Sequence, residues 1–598
     1  MKATNEEIID KSFADFFPDE KIRPFAYLLS RGIREGNICI TIPEQPTETP
    51  FGKASVRTLE QADRNFWAPA DASVPFIYHK PHLYLQRYFR YETTVIGWMK
   101  ERIAQSEMNK KIYRQIVENQ GTLIRSLAAD YPTDGLAAEE KTDWKLVAVI
   151  QTLLNDFSII TGGPGTGKTT TLAKLLLVIF TENPETRVAL AAPTGKASMR
   201  MLESLRQKSD GYPDEIKEKI RLLKPYTLHR LLGYQRNSIY FRHNREKPLQ
   251  YDWVIVDEAS MIDLPMFAKL LAACSPATRL LLLGDKDQLA SVEAGSLFGD
   301  LCMVPETLNR FPTEKFEFLN KFIADPERRI SKLHEKQDTH PLAGCITGLK
   351  LSHRFKQQGA IGKLSLALNG GQETETLQLL REDATGQIRM IADDQETAFQ
   401  EFIEGYGAYL GESDIRAAFK ELRRLRVLVT VREGGNGLYA MNRNIEKVLS
   451  RKFPKLIQPT AGFYHNQPII VTANNYELGL FNGDIGIVRK DSATGQLRVW
   501  FEAADPEKVP DSYSPASLND YETVFAMTIH KSQGSEFDKV MVVLPDKADS
   551  PLLTRELLYT GVTRAITQVV IRGSEAALLN GTRRRVSRIS GIQTRLTP

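Results

Sequence analysis

Cysteine is scarce in this chain: four in 598 residues, at positions 39, 274, 302 and 345, with no C-x-x-C pair. That spacing excludes a zinc ribbon and offers no disulfide framework. It suits a reduced compartment, and a cytoplasmic protein is expected. No apolar run approaches the ~20 residues a membrane-spanning helix needs. The start, MKATNEEIIDKSFADFF, has neither the basic opening nor the apolar stretch of a secretory signal. Repeats and low-complexity tracts are missing too. Neither sign of charge dominates: 78 Lys and Arg stand against 74 Asp and Glu, a formal net charge of +4. So small a bias is compatible with a nucleic-acid partner and decides nothing. At 42% hydrophobic and 25% charged residues the composition is ordinary for a globular protein, and the length is expected to fold as about four domains.

What is present is an alternation of short apolar runs with helical patterns. FSIIT, RVALAA, WVIVD and RLLLLGD each end in a loop rich in Gly, Pro, Asp or Thr, and a second series, RVLVTV, KVMVVLP and TQVVIR, follows later. Buried parallel strands with crossover helices read this way. Residues 303–350 are less regular. Between the first two strands of the second series, about 436–520, QPIIVTANN, DIGIVRK and QLRVWFE alternate and turn at Asn-Gly and Thr-Gly, the pattern of an antiparallel β insertion. The expected architecture is α/β: two parallel-sheet lobes, a small β insertion in the second, and an N-terminal domain over 1–110.

TGGPGTGKTTTLAKLL, residues 161–176, carries the clearest chemistry. It satisfies G-x-x-x-x-G-K-[ST] between a strand-like and a helix-like run. Gly162, Gly163, Pro164, Gly165, Thr166, Gly167, Lys168, Thr169 and Thr170 are the expected nucleotide cradle. The glycines let backbone N–H groups turn inward, and the helix N-terminus adds positive potential. Lys168 is expected on the β- and γ-phosphates and the Thr169 hydroxyl on Mg²⁺. WVIVDEASMID ends a strand in Asp257 and Glu258. Asp257 is the expected second metal ligand, and Glu258 the group that orients and deprotonates water. Gln288, after the strand ending in Gly284 and Asp285, is placed to sense the γ-phosphate. Arg354 in LSHRF and Arg564 in LLYTGVTRA are candidate arginine fingers from a second lobe, a device worth about 10³–10⁵ in rate. ATP and Mg²⁺ are the expected cofactors.

In this order the segments resemble the superfamily 1 helicases. GGPGTGKTTT, AAPTGKAS, VDEASMID, LGDKDQLASVEAG, LSHRF, TIHKSQGSEFDKV and LYTGVTRA are similar to motifs I, Ia, II, III, IV, V and VI, with TLHRLLG as a further DNA-contact motif. Within that superfamily they look most like the RecD family, the alpha subunit of exodeoxyribonuclease V. The resemblance implies two RecA-like P-loop lobes spanning 111–360 and 361–598, with an SH3-like β insertion in the second. It also implies a mostly helical N-terminal domain that docks on a RecC-like partner. As function it implies ATP-driven 5′→3′ movement on single-stranded DNA, within a heterotrimer of RecB-like and RecC-like subunits that processes double-strand breaks for recombination. One departure stands out. Lys145 follows Trp144 where the family commonly has a glutamine, and Gln151 is off register.

A motor on a strand needs phosphate contacts on both lobes that are indifferent to sequence. Thr194 and Lys196, with Thr227 and His229, are the candidates in the first lobe. Thr528, His530, Lys531 and Ser532 are those in the second. GYQRNSIYFRHNREKPLQYDW interleaves aromatic and basic residues and reads as a hairpin at about 233–250, the family's strand-splitting pin. GTRRRVSR, near the end, reads as a flexible charged tail. EEK at 139–141 has no partner aspartate, so no nuclease site is expected. Two readings stay open beside the RecD-like motor: a superfamily 1 translocase working outside such a complex, and an ATP-gated clamp that does not unwind.

Overall fold

The computed structural model describes residues 5–596 except 71, 129–135, 137, 236–237, 292, 304–307, 338–339, 341, 353–358, 476, 492–493 and 503–509. Two parallel sheets dominate it. The first runs in the order Ile346–Gly348, Phe157–Thr161, Arg279–Gly284, Trp253–Val256, Val188–Ala192, Pro225–Thr227, every pairing parallel. Strands Phe157–Thr161, Val188–Ala192 and Trp253–Val256 are buried along their whole length, and Arg279–Gly284 from its second residue on, which is why they read as unbroken apolar runs and not as alternating ones. The second sheet runs Ile388–Ile391, Ala565–Arg572, Phe537–Val543, Leu425–Val429, Ala526–Thr528, again all parallel. In the first lobe the loops that carry the expected chemistry leave the C-terminal ends of these strands, where open α/β sheets bind ligands; in the second lobe Arg564 stands just before the N-terminal end of its strand Ala565–Arg572.

The β insertion is a five-stranded antiparallel sheet, ordered Asp511–Tyr513, Leu497–Phe501, Ile485–Lys490, Pro468–Val471, Tyr521–Thr523. It turns at Gly483 and Gly495, both at positive φ (99° and 69°), where a glycine avoids the Cβ penalty. Residues Leu438–Lys452, ahead of these strands, form a helix on the second lobe's core. The N-terminal residues are largely helical, with a 23-residue helix Gln86–Met108. They also hold a four-stranded sheet, Cys39–Thr41, His82–Leu85, Phe76–His79, Trp67–Ala68, whose short strands show no readable period in sequence. All four cysteines are buried and free. Among the described residues no helix is long and apolar enough to cross a membrane.

Two expectations fail here. Residues 233–250 form no strand among those described. The segment is a loop pinned at its base by the N–H groups of Arg242 and His243, which donate to the carbonyls of Gly233 and Leu232 at 2.9 Å each. The charged C-terminal run is no free tail. Arg588 donates to the carbonyls of Glu293 and Gly295 (3.0 and 2.8 Å), Ile38 N–H to Ile589 (3.2 Å), and Ser590 Oγ to Asp300 (2.8 Å). Gly591 N–H and Arg595 both donate to the fully buried Glu92 at 2.8 and 2.6 Å. Ile592 and Leu596 enter the core shared by the N-terminal region and the first lobe. The strap therefore runs from the second lobe back across the other two bodies.

Asp300 lies under that strap, and burial pushes its carboxyl up to about 7, Ser590 and Arg588 opposing and Glu92 adding to the shift. An unfolded aspartate titrates near 4. The folded chain thus holds a proton the unfolded chain releases, and the associated stability is full below about pH 4 and lost as pH rises toward 7. Asp300→Asn is expected to flatten that decline in denaturant unfolding measured between pH 4 and 7. An unchanged slope would contradict the burial of a protonated carboxyl.

Candidate active site

The P-loop leaves the strand Phe157–Thr161 and enters the helix Lys168–Glu182 through Gly165 and Gly167, at φ 75° and 91°. Thr166 is buried, and its hydroxyl donates to the Gly163 carbonyl at 2.8 Å, so it shapes the loop from within. Lys168 Nζ donates to the Gly162 carbonyl at 2.7 Å. Pro164, Gly165, Gly167, Lys168, Thr169 and Thr170 line a cleft of about 720 Å³ between the lobes.

Asp257 and Glu258 face this cleft from the end of strand Trp253–Val256. Burial pushes the Asp257 carboxyl up to about 6, with repulsion from Glu258 adding to it and Lys168 opposing. A divalent cation there would supply the missing counter-charge. Glu258 holds φ 52°, rare for a residue with a Cβ, and its N–H donates to Asp257 Oδ1 at 2.8 Å. Strained conformations of this kind cluster at functional sites.

Gln288 is buried. Its Nε2 donates to Asp285 Oδ2 at 3.1 Å, and its Oε1 is a buried acceptor with no partner among the described residues. An unpaired acceptor on the cleft wall fits a site completed by a donor from outside the chain, such as a water beside a phosphate. Arg564, 3% exposed, reaches the cleft from the second lobe, its Nε donating to Thr560 O (3.0 Å) and Nη1 to Ser535 O (3.2 Å). Arg354 lies outside the described residues.

Three participants escaped the sequence reading. Arg200, on the helix Gly195–Lys208, lines the cleft, donates to the Gly534 carbonyl at 2.8 Å and pairs with Glu536 of the second lobe. Leu289, beside Gln288, is buried in the second lobe's core, its N–H donating to Thr560 Oγ1 (3.1 Å) and its carbonyl accepting from Gln533 (3.2 Å). Tyr559, fully enclosed on the second lobe's helix Arg555–Val562, donates to Asp285 at 3.0 Å. A Cβ on Gly163 would stand 2.8 Å from its hydroxyl oxygen, so that glycine is what lets the tyrosine reach the P-loop. Tyr559 had no sequence signal, since LLYT reads as an apolar helix face.

The nucleic-acid candidates divide. Thr194 and Thr227 are N-caps whose hydroxyls accept from Ala197 and Arg230 N–H (3.3 and 3.2 Å). They are drawn together around Gly195, near which lies Phe481 of the β insertion, itself under the Arg230 guanidinium at 4.4 Å. Lys196 is half-buried; burial, then Arg426 and Arg200, push its ammonium down to about 8. His229 is exposed and meets Phe241 edge-on at 5.7 Å. In the second lobe His530 is exposed, and Lys531 pairs with Glu522 at 3.1 Å. Thr528 is buried and its hydroxyl accepts from Lys531 N–H at 3.3 Å. Ser532 does not fit the expectation: it is wholly buried and its hydroxyl donates to the Ile529 carbonyl at 2.7 Å, so it fastens the turn and reaches no groove.

With this geometry, similarity to known proteins becomes informative. A model of the AAA domain matches residues 145–294, and one of the UvrD-like helicase C-terminal domain matches 523–571. RecBCD enzyme subunit RecD of Mycolicibacterium smegmatis is 33% identical over 600 residues, covering 97% of this chain and 94% of the relative. The chain belongs to the RecD family. The RecD subunit of Haemophilus influenzae is 33% identical over 556 residues, 88% of this chain and 81% of its own length. The ATP-dependent RecD2 DNA helicase of Deinococcus radiodurans is 28% identical over 469 residues, 76% of this chain but 54% of its own. Membership of the RecD family makes the chain an ATP-dependent DNA helicase.

Tyr559→Phe deletes one hydroxyl and leaves Asp285 a donor short. Steady-state ATPase assays are expected to show nucleotide KM within twofold of wild type and DNA-stimulated turnover reduced about fivefold, the scale of one hydrogen bond of ~1 kcal/mol. Equal turnover in the two proteins would assign the tyrosine to packing alone.

Proposed function

We propose that this chain is the ATP-driven, 5′→3′ single-stranded-DNA motor of a RecBCD-type complex that unwinds double-strand breaks for recombination. The single observation that carries it is the cleft itself. P-loop, acidic strand end and Gln288 come from one lobe, and Arg564 with the Tyr559 latch from the other, so nucleotide turnover and lobe movement share one place.

In this reading ATP is the substrate. The P-loop amides and Lys168 bind its phosphates, and Thr169 and Asp257 hold Mg²⁺. When bound, that ion would offset the negative charge of the phosphates. Glu258 orients and deprotonates the attacking water, Gln288 Oε1 accepts from it, and Arg564 stabilises the charge that develops. Arg354 is a further finger by motif alone. The cleft's six cations, Lys145, Lys168, Lys174, Lys208, Arg200 and Arg564, outnumber its three carboxylates, Asp257, Glu258 and Glu536, a balance suited to a polyphosphate.

DNA would cross both lobes at Thr194, Lys196, Thr227 and His229 on one side, and His530 and Lys531 on the other. The loop after Gly233 presents Tyr234, Ile239 and Tyr240 to solvent, at 49, 75 and 73% exposure. Rings so placed can meet bases of any sequence, at ~1–3 kcal/mol each, which supports a strand-splitting role without a β ladder. Three functional bodies follow: 1–110 for docking, 111–360 and 361–598 for the motor. Exposed Ile8, Ile9 and Phe16 (51, 59 and 83%) support docking of the first on a RecC-like subunit. A match over 94% of RecD against 54% of RecD2 supports the subunit over a helicase acting alone. A cytoplasmic site of action accords with this role.

Strand displacement tests the motor. Arg564→Ala is expected to lower DNA-stimulated ATPase about 10³-fold and abolish displacement, with single-strand affinity retained. DNA-stimulated hydrolysis by the wild type that never displaces a strand would favour a clamp. Tyr240→Ser is expected to reduce displacement several-fold while ATPase on single strands holds; parallel loss of both would place the loop in DNA binding generally.

A further inference from the structure

The helix Leu438–Lys452 of the second lobe buries Leu438, Met441, Asn442, Ile445, Val448 and Leu449. On its opposite face Tyr439, Arg443, Lys447 and Arg451 are exposed, one every four residues. At about 1.5 Å of rise per residue each stands one turn, about 6 Å, beyond the last. Other surface helices match their cations internally: in Asp214–Leu222, Lys217 pairs with Asp214 at 2.6 Å and Arg221 with Glu218 at 2.7 Å. Here the row is left unmatched. Arg443, Lys447 and Arg451 make no side-chain ion pair or hydrogen bond among the described residues. Glu446, the helix's one carboxylate, is half-buried and accepts from the Tyr464 hydroxyl. Lys452, off the row, pairs with Glu404 at 3.0 Å.

The row begins beside the second lobe's candidate strand contacts. Tyr439 Oη donates to Glu522 at 3.4 Å, and Glu522 pairs with Lys531 at 3.1 Å and with Arg432. Asn442 fastens the helix to the strand Ala526–Thr528: its Nδ2 donates to the Ala526 carbonyl at 3.0 Å, and its Oδ1 accepts from Ala526 N–H at 2.9 Å. The cations are thus a rigid extension of the element that carries Thr528 and Lys531, and they move with the second lobe. From Arg443 to Arg451 they cover about 12 Å along the axis, room for a few nucleotides beyond the groove. Protein interfaces deplete lysine and centre on apolar anchors. Beyond Tyr439 this helix exposes no large apolar side chain. An evenly spaced row of cations suits a phosphate backbone and is indifferent to its sequence.

On the motor reading above, on which this step rests, we infer that Arg443, Lys447 and Arg451 form a second single-stranded-DNA site, a track that holds the strand where it runs past the groove. Fluorescence anisotropy of the full chain with labelled oligothymidines of about 8 and about 25 nucleotides, across a range of salt, tests it. Wild type is expected to bind the longer strand more tightly and with the steeper salt dependence. Arg443→Gln, Lys447→Gln and Arg451→Gln combined are expected to weaken the longer strand about tenfold. Its salt slope is expected to fall by about 2, since each phosphate contact on a single strand contributes about 0.7. The shorter strand is expected to bind within about twofold of wild type, which also reports that the variant is folded. Arg443→Lys, Lys447→Arg and Arg451→Lys combined keep the charge and are expected to match wild type on both lengths. Equal weakening of both lengths, or of neither, overturns the inference. A loss confined to blunt duplex DNA, or loss of co-purifying subunits with single-strand binding intact, overturns it too and gives the row to duplex or to a protein partner. Wild type that binds neither length removes the motor reading, and this inference with it.

Discussion

The loop from Asp285 to Leu289 belongs to two bodies at once, and the motor geometry depends on that. Its strand, Arg279–Gly284, is a central member of the first sheet. Yet Leu289 is packed in the second lobe's core, and the backbone on both sides of it is hydrogen-bonded to second-lobe side chains. Burying a leucine is worth roughly 1.5–3 kcal/mol, and each backbone group left unpaired in the interior would cost about 1–3 kcal/mol. The lobes therefore cannot part at this point without exposing an apolar side chain and breaking two bonds. Gln288 and Asp285 sit on the same short segment, so any group that draws on Gln288 pulls on a residue already anchored across the cleft.

Around that joint the charges are unevenly placed. The acidic pair Asp257–Glu258 is half-buried at a strand end, where desolvation and then repulsion from Glu258 raise the Asp257 carboxyl above its ordinary value. Cations ring the remainder of the cleft. Each element is unfavourable alone: a half-buried carboxylate pair, a left-handed glutamate, an amide oxygen unpaired among the described residues. Together they describe a site arranged for a polyanion and a cation that arrive as one.

Most of the two lobes was legible because buried parallel strands of four or more residues leave unbroken apolar runs. The edge strands Pro225–Thr227, Ile346–Gly348 and Ala526–Thr528 were not, since three residues carry no period. The P-loop, Asp257, Glu258 and Gln288 were legible because phosphate chemistry demands those types at those spacings, and Arg564 because its motif is distinctive. Tyr559, Leu289 and Arg200 were not. A tyrosine in an apolar helix, a leucine in a loop and an arginine on an amphipathic helix look like packing or surface until a partner far away in sequence is placed beside them. Ser532 erred the other way: its type suited phosphate, but the turn it sits in consumed its hydroxyl. The aromatic and basic stretch after Gly233 carries no ladder among the described residues, because turn residues announce a reversal without specifying strand pairing.

The strap of residues 588–596 separates sequence order from spatial order. Ile592 and Leu596 complete a core built from the first lobe and the N-terminal helices, and Arg595 neutralises a glutamate sealed inside it. The second lobe accordingly has no clean end of its own. A cut just after its last helix, Glu575–Arg583, would open a slot in the opposite end of the molecule and strand Glu92 without its counter-ion. The strap thus ties the second lobe's last helix to a core that the N-terminal region and the first lobe share.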